Sequence, residues 1–116
     1  MHEAVITRSI MDTVLETVRK ERITGTVVSV RVTAGVCQGL VPESMQMYFD
    51  MEKPGTPLKN AELIVETQRM AAFCPACEKE YTLDEPVMFC PDCGGIMKLL
   101  KGTEILVASI EVEETI

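Results

Sequence analysis

Two C-x-x-C pairs separated by twelve residues constrain the fold of this 116-residue chain more than any other feature. They read Cys74-Pro-Ala-Cys77 and Cys90-Pro-Asp-Cys93. A tetrahedral zinc ribbon has this spacing, because each short turn brings two thiolates to about 2.3 Å from one ion. Four protein ligands leave no open position for water, so the ion is expected to be structural Zn²⁺. Redox chemistry is the alternative for either pair taken alone.

Hydrophobic periodicity outside the cysteine pairs predicts both helices and strands. Apolar residues at a three-to-four spacing predict an amphipathic helix over residues 2–20, and Pro42 is suited to the first turn of a second helix. Alternation of apolar and polar residues predicts a half-buried strand over residues 26–33. Two further strands are expected at residues 61–68 and 104–112, and the last is apolar enough to be covered on both faces.

These elements predict a fold of class α+β or α/β, in which two helices pack on a small mixed sheet. A four-cysteine zinc ribbon over residues 71–101 is expected to be inserted before the last strand, and residues 1–70 plus 102–116 are expected to form the α/β domain. The second helix is expected to bury Met45, Tyr48, Phe49 and Met51. Core packing is also the expected role of Met47, which lies at helical spacing with the other methionines.

The predicted ribbon has little core of its own and is expected to be largely unfolded without metal. The residues that could shield its metal are Tyr81, Leu83, Val87, Met88 and Phe89. The fifth cysteine, Cys37, lies in a predicted turn well before the pairs. We expect it to be a small, partly buried thiol, with metal ligation or redox sensing as the alternatives.

The charge of the chain argues against nucleic acid as a partner. The formal net charge is −7, and residues 71–101 hold five acidic and three basic side chains, to which four thiolates would add negative charge. No segment approaches the ~20 consecutive apolar residues of a membrane span, and the first residues lack the pattern of a signal peptide. We therefore expect a cytoplasmic protein that binds neither nucleic acid nor membrane.

The single histidine of the chain, His2, lies beside the N-terminal amine. The amine of Met1, the backbone nitrogens of His2 and Glu3 and the imidazole could all reach one metal ion. A planar set of four nitrogens suits Ni(II) or Cu(II), whereas zinc favours the thiolates. An incidental residue at a frayed terminus is the alternative reading of His2. Glu3 could equally favour the first helical turn through the helix dipole.

The order of these features resembles the HypA family of hydrogenase nickel-incorporation proteins over nearly the whole chain. The features are Met1-His2-Glu3 opening a helix, Val41-Pro42-Glu43 opening a second, Gly55-Thr56 before a strand, and the two C-x-x-C pairs. The resemblance implies a nickel metallochaperone that helps to load Ni²⁺ into the large subunit of [NiFe]-hydrogenase with a HypB-type GTPase. Some relatives also serve urease.

Residue by residue, the resemblance implies that Met1, His2 and Glu3 form the nickel motif, with His2 as the principal side-chain ligand. It implies that the domain of residues 1–70 plus 102–116 binds nickel, and that the paired cysteines, Cys74, Cys77, Cys90 and Cys93, bind structural Zn²⁺. This chain departs from some relatives because it has no histidine near the ribbon.

A protein-binding adaptor and an enzyme are the other classes of function for such a sequence. A zinc-ribbon adaptor that binds only protein partners would not need His2. An enzyme is not expected, because one histidine, a closed zinc site and no nucleophile motif leave little for general-base or metal-water chemistry.

Overall fold

The computed structural model describes residues 2–114. Within these residues the chain forms two α-helices and six β-strands, in the order α1 (His2–Lys20), β1 (Thr26–Gly35), α2 (Pro42–Glu52), β2 (Glu62–Gln68), β3 (Met70–Cys74), β4 (Lys79–Leu83), β5 (Lys98–Lys101) and β6 (Ile105–Glu113). The strands form two three-stranded sheets, with orders β2-β1-β6 and β4-β3-β5. The predicted mixture of two helices, a small sheet and a four-cysteine module is confirmed. The second sheet was not predicted.

The chain divides into two compact units. The two-helix unit comprises residues 2–32, 40–65 and 107–114 of the described chain, and the cysteine unit comprises residues 33–39 and 66–106. Neither helix is long and apolar enough to cross a membrane.

In the two-helix unit, α1 packs against α2. The apolar stripe of α1 buries Ile10, Met11 and Val14, as the periodicity predicted. An ion pair between Arg8 Nη2 and Glu52 Oε1, at 2.8 Å, also joins the helices, although both side chains are largely exposed and the pair adds little stability.

The predicted buried face of α2 is only partly right. Met45 and Phe49 are fully buried, but Met47 is 51% exposed and Met51 is 67% exposed. Tyr48 is half-buried. These methionines are not core residues, because residues two positions away from the 45–49 stripe lie about 200° around the helix, on its other side.

The strands of the first sheet also differ in detail from the sequence expectation. On the central strand β1, Val27, Val30 and Val32 are buried and Val28 is half-buried, so burial does not follow a strict alternation. The expectation that β6 is covered on both faces is wrong. It lies at the edge of the sheet, none of its residues is buried, and Leu106 is 60% exposed.

The cysteine unit has a small buried core, centred on one strand. On the central strand β3, Met70, Ala72 and Cys74 are buried at alternate positions and pack with Cys90 and Met97. The partly buried residues around this cluster are Val36, Cys37, Tyr81, Leu83 and Leu99. Of the residues expected to shield the metal, Tyr81 and Leu83 pack on this core, but Val87, Met88 and Phe89 are exposed.

The segment before α2 joins the cysteine unit through backbone contacts. The N–H of Gly35 donates to the carbonyl of Glu104 at 2.8 Å, and that of Cys37 donates to the carbonyl of Gly102 at 2.9 Å. A Cβ atom at Gly35 would lie only 2.0 Å from the oxygen of Gly102. The backbone at residue 35 can approach the backbone of Gly102 so closely because position 35 is glycine and has no side chain.

Candidate metal centre

Each C-x-x-C pair lies at the turn of a tight hairpin. The first joins antiparallel strands β3 and β4, in which Cys74 is paired with Lys79, so that Cys77 lies in the connecting turn. The second is bracketed by an antiparallel bridge between Phe89 and Ile96. Its turn is closed by the Cys90 N–H donating to the Gly95 carbonyl at 2.7 Å. The local hairpin fold is therefore enough to bring the two cysteines of each C-x-x-C pair close together.

The four sulfur atoms form one cluster. All the Sγ atoms of Cys74, Cys77, Cys90 and Cys93 lie within 4.8 Å of one another. The separation is 3.6 Å between Cys74 and Cys93 and 3.9 Å between Cys77 and Cys90, far longer than a disulfide bond. A tetrahedral ion with sulfur ligands at about 2.3 Å has sulfur atoms about 3.8 Å apart. The separations across the two hairpins therefore fit one tetrahedral ion bound by four cysteines.

Backbone N–H groups point at three of these sulfurs. The N–H of Cys77 donates to Cys74 Sγ, that of Asp92 to Cys90 Sγ, and that of Gly95 to Cys93 Sγ, each at 3.4 Å. Such donors stabilise the thiolate form, which is the form that binds metal. Cys74 and Cys90 are buried, whereas Cys77 and Cys93 are exposed, so the cluster lies at the surface of its unit.

Three polar side chains form a series of contacts that begins at Cys90. The Cys90 thiol is 3.3 Å from the Tyr81 hydroxyl, which in turn donates to the Asp92 carboxylate. Lys79 Nζ is 3.7 Å from Asp92 Oδ2 and 5.3 Å from the centroid of the Tyr81 ring. The sequence indicated only a shielding role for Tyr81. Lys79 and Tyr81 lie on one face of β4 because alternate residues of a strand share a face. This two-residue period was the sequence signal that they are neighbours.

These contacts make the four thiols unequal. Burial of Cys90 opposes its ionisation, but its hydrogen bond with Tyr81 and those from the backbone at Cys93 and Asp92 outweigh burial and lower its pKa to about 6. A hydrogen bond with Cys93, followed by burial, raises the pKa of Cys77 to about 12. Ionisation of several closely spaced thiols is unfavourable because the thiolates repel one another. A bound cation reduces that repulsion.

The residues of the predicted nickel motif are in the two-helix unit. His2 is the first residue of α1 and is exposed. Glu3 is only 8% exposed, and its Oε2 accepts a hydrogen bond from the N–H of Val41 at 3.2 Å. Met1 lies outside the described residues. The structure thus places His2 at the surface and the Glu3 side chain against the residue that precedes α2.

Cys37 is separate from the four-cysteine cluster. It lies in a single 3-10 turn, Val36–Gln38, and is half-buried, as expected. Its sulfur is 4.0 Å from the sulfur of Met70. Cys37 therefore packs against the core of the cysteine unit.

With this geometry established, comparison with known proteins identifies the family. A family model described as hydrogenase/urease nickel incorporation, metallochaperone, hypA, matches residues 1–112. The chain belongs to the HypA family. The resemblance inferred from the sequence is therefore confirmed, and the family is one of metallochaperones that act in hydrogenase and urease maturation.

Individual relatives match over nearly their full length. "Hydrogenase maturation factor HypA" of Aquifex aeolicus is 34% identical over 114 residues, which are 97% of this chain and 98% of that protein. The factor of the same name from Streptomyces avermitilis is 32% identical over 116 residues, which are 98% and 88% of the two chains.

Solved structures support the same fold. The solution structure of the Ni metallochaperone HypA from Helicobacter pylori superposes with a TM-score of 0.64 at 18% identity, covering 97% of each chain. A second solution structure of a HypA protein gives a TM-score of 0.67, also at 18% identity and 97% coverage of each chain. At this identity the likeness concerns the fold alone.

Proposed function

We propose that this protein is a nickel metallochaperone that binds Ni(II) at its N-terminus and delivers it during maturation of [NiFe]-hydrogenase. The observation that carries the proposal is the division of two different donor sets between two compact units. Sulfur donors are gathered in the cysteine unit, and the only histidine is exposed at the start of α1 in the other unit. Soft thiolates favour zinc, and nitrogen donors favour nickel.

The cysteine cluster is proposed to hold Zn²⁺ in a structural role. Cys74, Cys77, Cys90 and Cys93 would supply all four ligands, and the backbone N–H groups at positions 77, 92 and 95 donate hydrogen bonds to three of the sulfurs. A bound zinc ion supplies a cross-link between the two hairpins. Because four thiolates complete a tetrahedral set, the residues leave no position for a reacting water, which agrees with a protein that is not an enzyme.

Nickel is the proposed cargo, bound by the imidazole of His2, the amine of Met1 and the backbone nitrogens of His2 and Glu3. Helix α1 begins at His2. The first four N–H groups of an α-helix have no acceptor within the helix, so coordination by these nitrogens breaks no helical hydrogen bond. Exposure of His2 gives the ion a route to a partner protein.

The contact of Glu3 with Val41 gives the Glu3 side chain a structural role distinct from nickel ligation. We expect Glu3→Gln to change the dissociation constant for nickel by less than about threefold, because the backbone nitrogen is retained. The midpoint of thermal unfolding should fall, since a neutral amide is a weaker acceptor for the Val41 N–H than a carboxylate. Nickel titration and thermal unfolding of the same sample check both expectations. A large loss of nickel affinity would instead make the carboxylate a ligand.

The proposed partners are a HypB-type GTPase and the large subunit of [NiFe]-hydrogenase, and the proposed location is the cytoplasm, where thiols stay reduced. A zinc-ribbon adaptor without metal delivery is the second candidate. The exposed apolar pair Phe89 and Ile96, at 62% and 75% exposure, would give such an adaptor a contact surface.

Titration of Ni(II) into the zinc-loaded protein separates these two candidates. A metallochaperone with two separate sites should bind one equivalent of nickel per chain while retaining its zinc, as measured by calorimetry and by elemental analysis of the dialysed product. Nickel that binds only by displacing zinc, or that does not bind, would contradict the proposal and favour the adaptor.

A further inference from the structure

Tyr81 joins the metal centre to a neighbouring acid through one hydroxyl group. Its oxygen is 3.3 Å from Cys90 Sγ, and its hydrogen is donated to the Asp92 carboxylate. A tyrosine hydroxyl has only one hydrogen to donate, so the Cys90 sulfur and the Asp92 carboxylate compete for it.

The Cys90 sulfur is a strong acceptor for this hydroxyl when it ligates a metal. A ligating cysteine is a thiolate, which accepts hydrogen bonds and cannot donate them. The Asp92 carboxylate also has a cation close by, since Lys79 Nζ lies 3.7 Å from it.

We propose that Tyr81 is a positioning residue of the four-cysteine centre, whose hydroxyl is shared between the Cys90 sulfur and the Asp92 carboxylate, while Lys79 lies beside Asp92 to neutralise it. The inference rests on the proposed zinc site and extends it to side chains that are not ligands. The hydrogen bond fixes the direction of the Cys90 sulfur and withdraws electron density from it. Partners of this kind that hold metal ligands commonly change metal affinity by about 10- to 100-fold.

The test compares two substitutions with opposite expected effects on full-length protein. Tyr81→Phe removes the hydroxyl and keeps the ring beside Lys79, so the sulfur loses its donor. Asp92→Asn weakens the competing acceptor, so the hydroxyl is donated more fully to the sulfur. Tyr48→Phe is the matched control, because Tyr48 is the only other tyrosine of the chain and lies on α2 in the two-helix unit.

The decisive readout is the sulfur-to-metal charge-transfer absorption of protein loaded with Co(II) at the cysteine site. We expect the band to move to lower energy in Tyr81→Phe, because the sulfur lone pairs rise in energy, and to higher energy in Asp92→Asn. Competition with a chelator should show zinc bound about 10-fold more weakly by Tyr81→Phe, and Tyr48→Phe should match the parent in both measurements.

An unchanged band in Tyr81→Phe, or shifts of the same sign in both variants, would overturn the role of Tyr81. If Tyr81→Phe does not fold, the direction of the shift in Asp92→Asn decides. A parent protein that binds less than one equivalent of zinc would instead overturn the zinc site itself, so the two failures are distinguishable.

Discussion

Replacing Cys77 with serine should unfold the cysteine unit and leave the two-helix unit folded. Cys77 is exposed, so the substitution disturbs no core packing and acts through the loss of a metal ligand. Structural zinc contributes about 10–16 kcal/mol of apparent binding free energy in zinc-finger peptides, and this is energy of folding. The buried core of the unit is small and includes two of the cysteines themselves. We therefore expect amide resonances of residues 66–106 to collapse, with less than about a tenth of an equivalent of zinc retained.

Cys37→Ser is the matched control for this prediction. Cys37 is in the same unit and is also a free thiol, but it lies outside the four-cysteine cluster. Its replacement should leave one equivalent of zinc and cost about 1 kcal/mol through its contact with Met70. A Cys77→Ser protein with full zinc and an unchanged spectrum would remove Cys77 from the ligand set. Collapse of the two-helix resonances as well would mean that the two units do not fold independently.

The helices could be predicted from sequence because their signals are local. The apolar stripe of α1 and the proline that opens α2 gave elements that begin and end close to the observed residues. The buried face of α2 could not be chosen from sequence, because Met45 and Phe49 form one apolar pair four residues apart and Met47 and Met51 form another. Which pair is buried depends on tertiary packing, such as that of α1 against α2, and periodicity within α2 does not reveal it.

The second sheet was missed because its strands lack the usual pattern. Strand β3 has five residues, of which two are alanines, and its buried face is completed by Cys74 and by residues from the second hairpin. Small residues and cysteines are poor strand signals, so propensity alone does not reveal it. Spacing did predict that the four sulfurs meet, since each pair forms a local turn. The neighbours of Cys90 depended on the register of β3 and β4, which spacing does not determine.

Replacing His2 with alanine should abolish tight nickel binding without loss of zinc. The substitution removes the only imidazole of the chain, and with it the ligand that closes the proposed nitrogen chelate. We expect the dissociation constant for nickel to rise by at least about 100-fold, which corresponds to about 2.8 kcal/mol. Zinc content and the resonances of the cysteine unit should stay as in the parent, because no thiolate is changed. Calorimetric titration of nickel into the zinc-loaded variant measures the effect.

Two further proteins show whether the loss is specific to the proposed chelate. Ser9→Ala, at an exposed position of the same helix, should bind nickel as the parent does. A histidine-free extension before Met1 converts the terminal amine into an amide while leaving His2 intact, and it should weaken binding about as much as His2→Ala. An extended protein with parental affinity would exclude the amine as a ligand. Parental affinity in His2→Ala would exclude the imidazole as a ligand and contradict the proposed chelate.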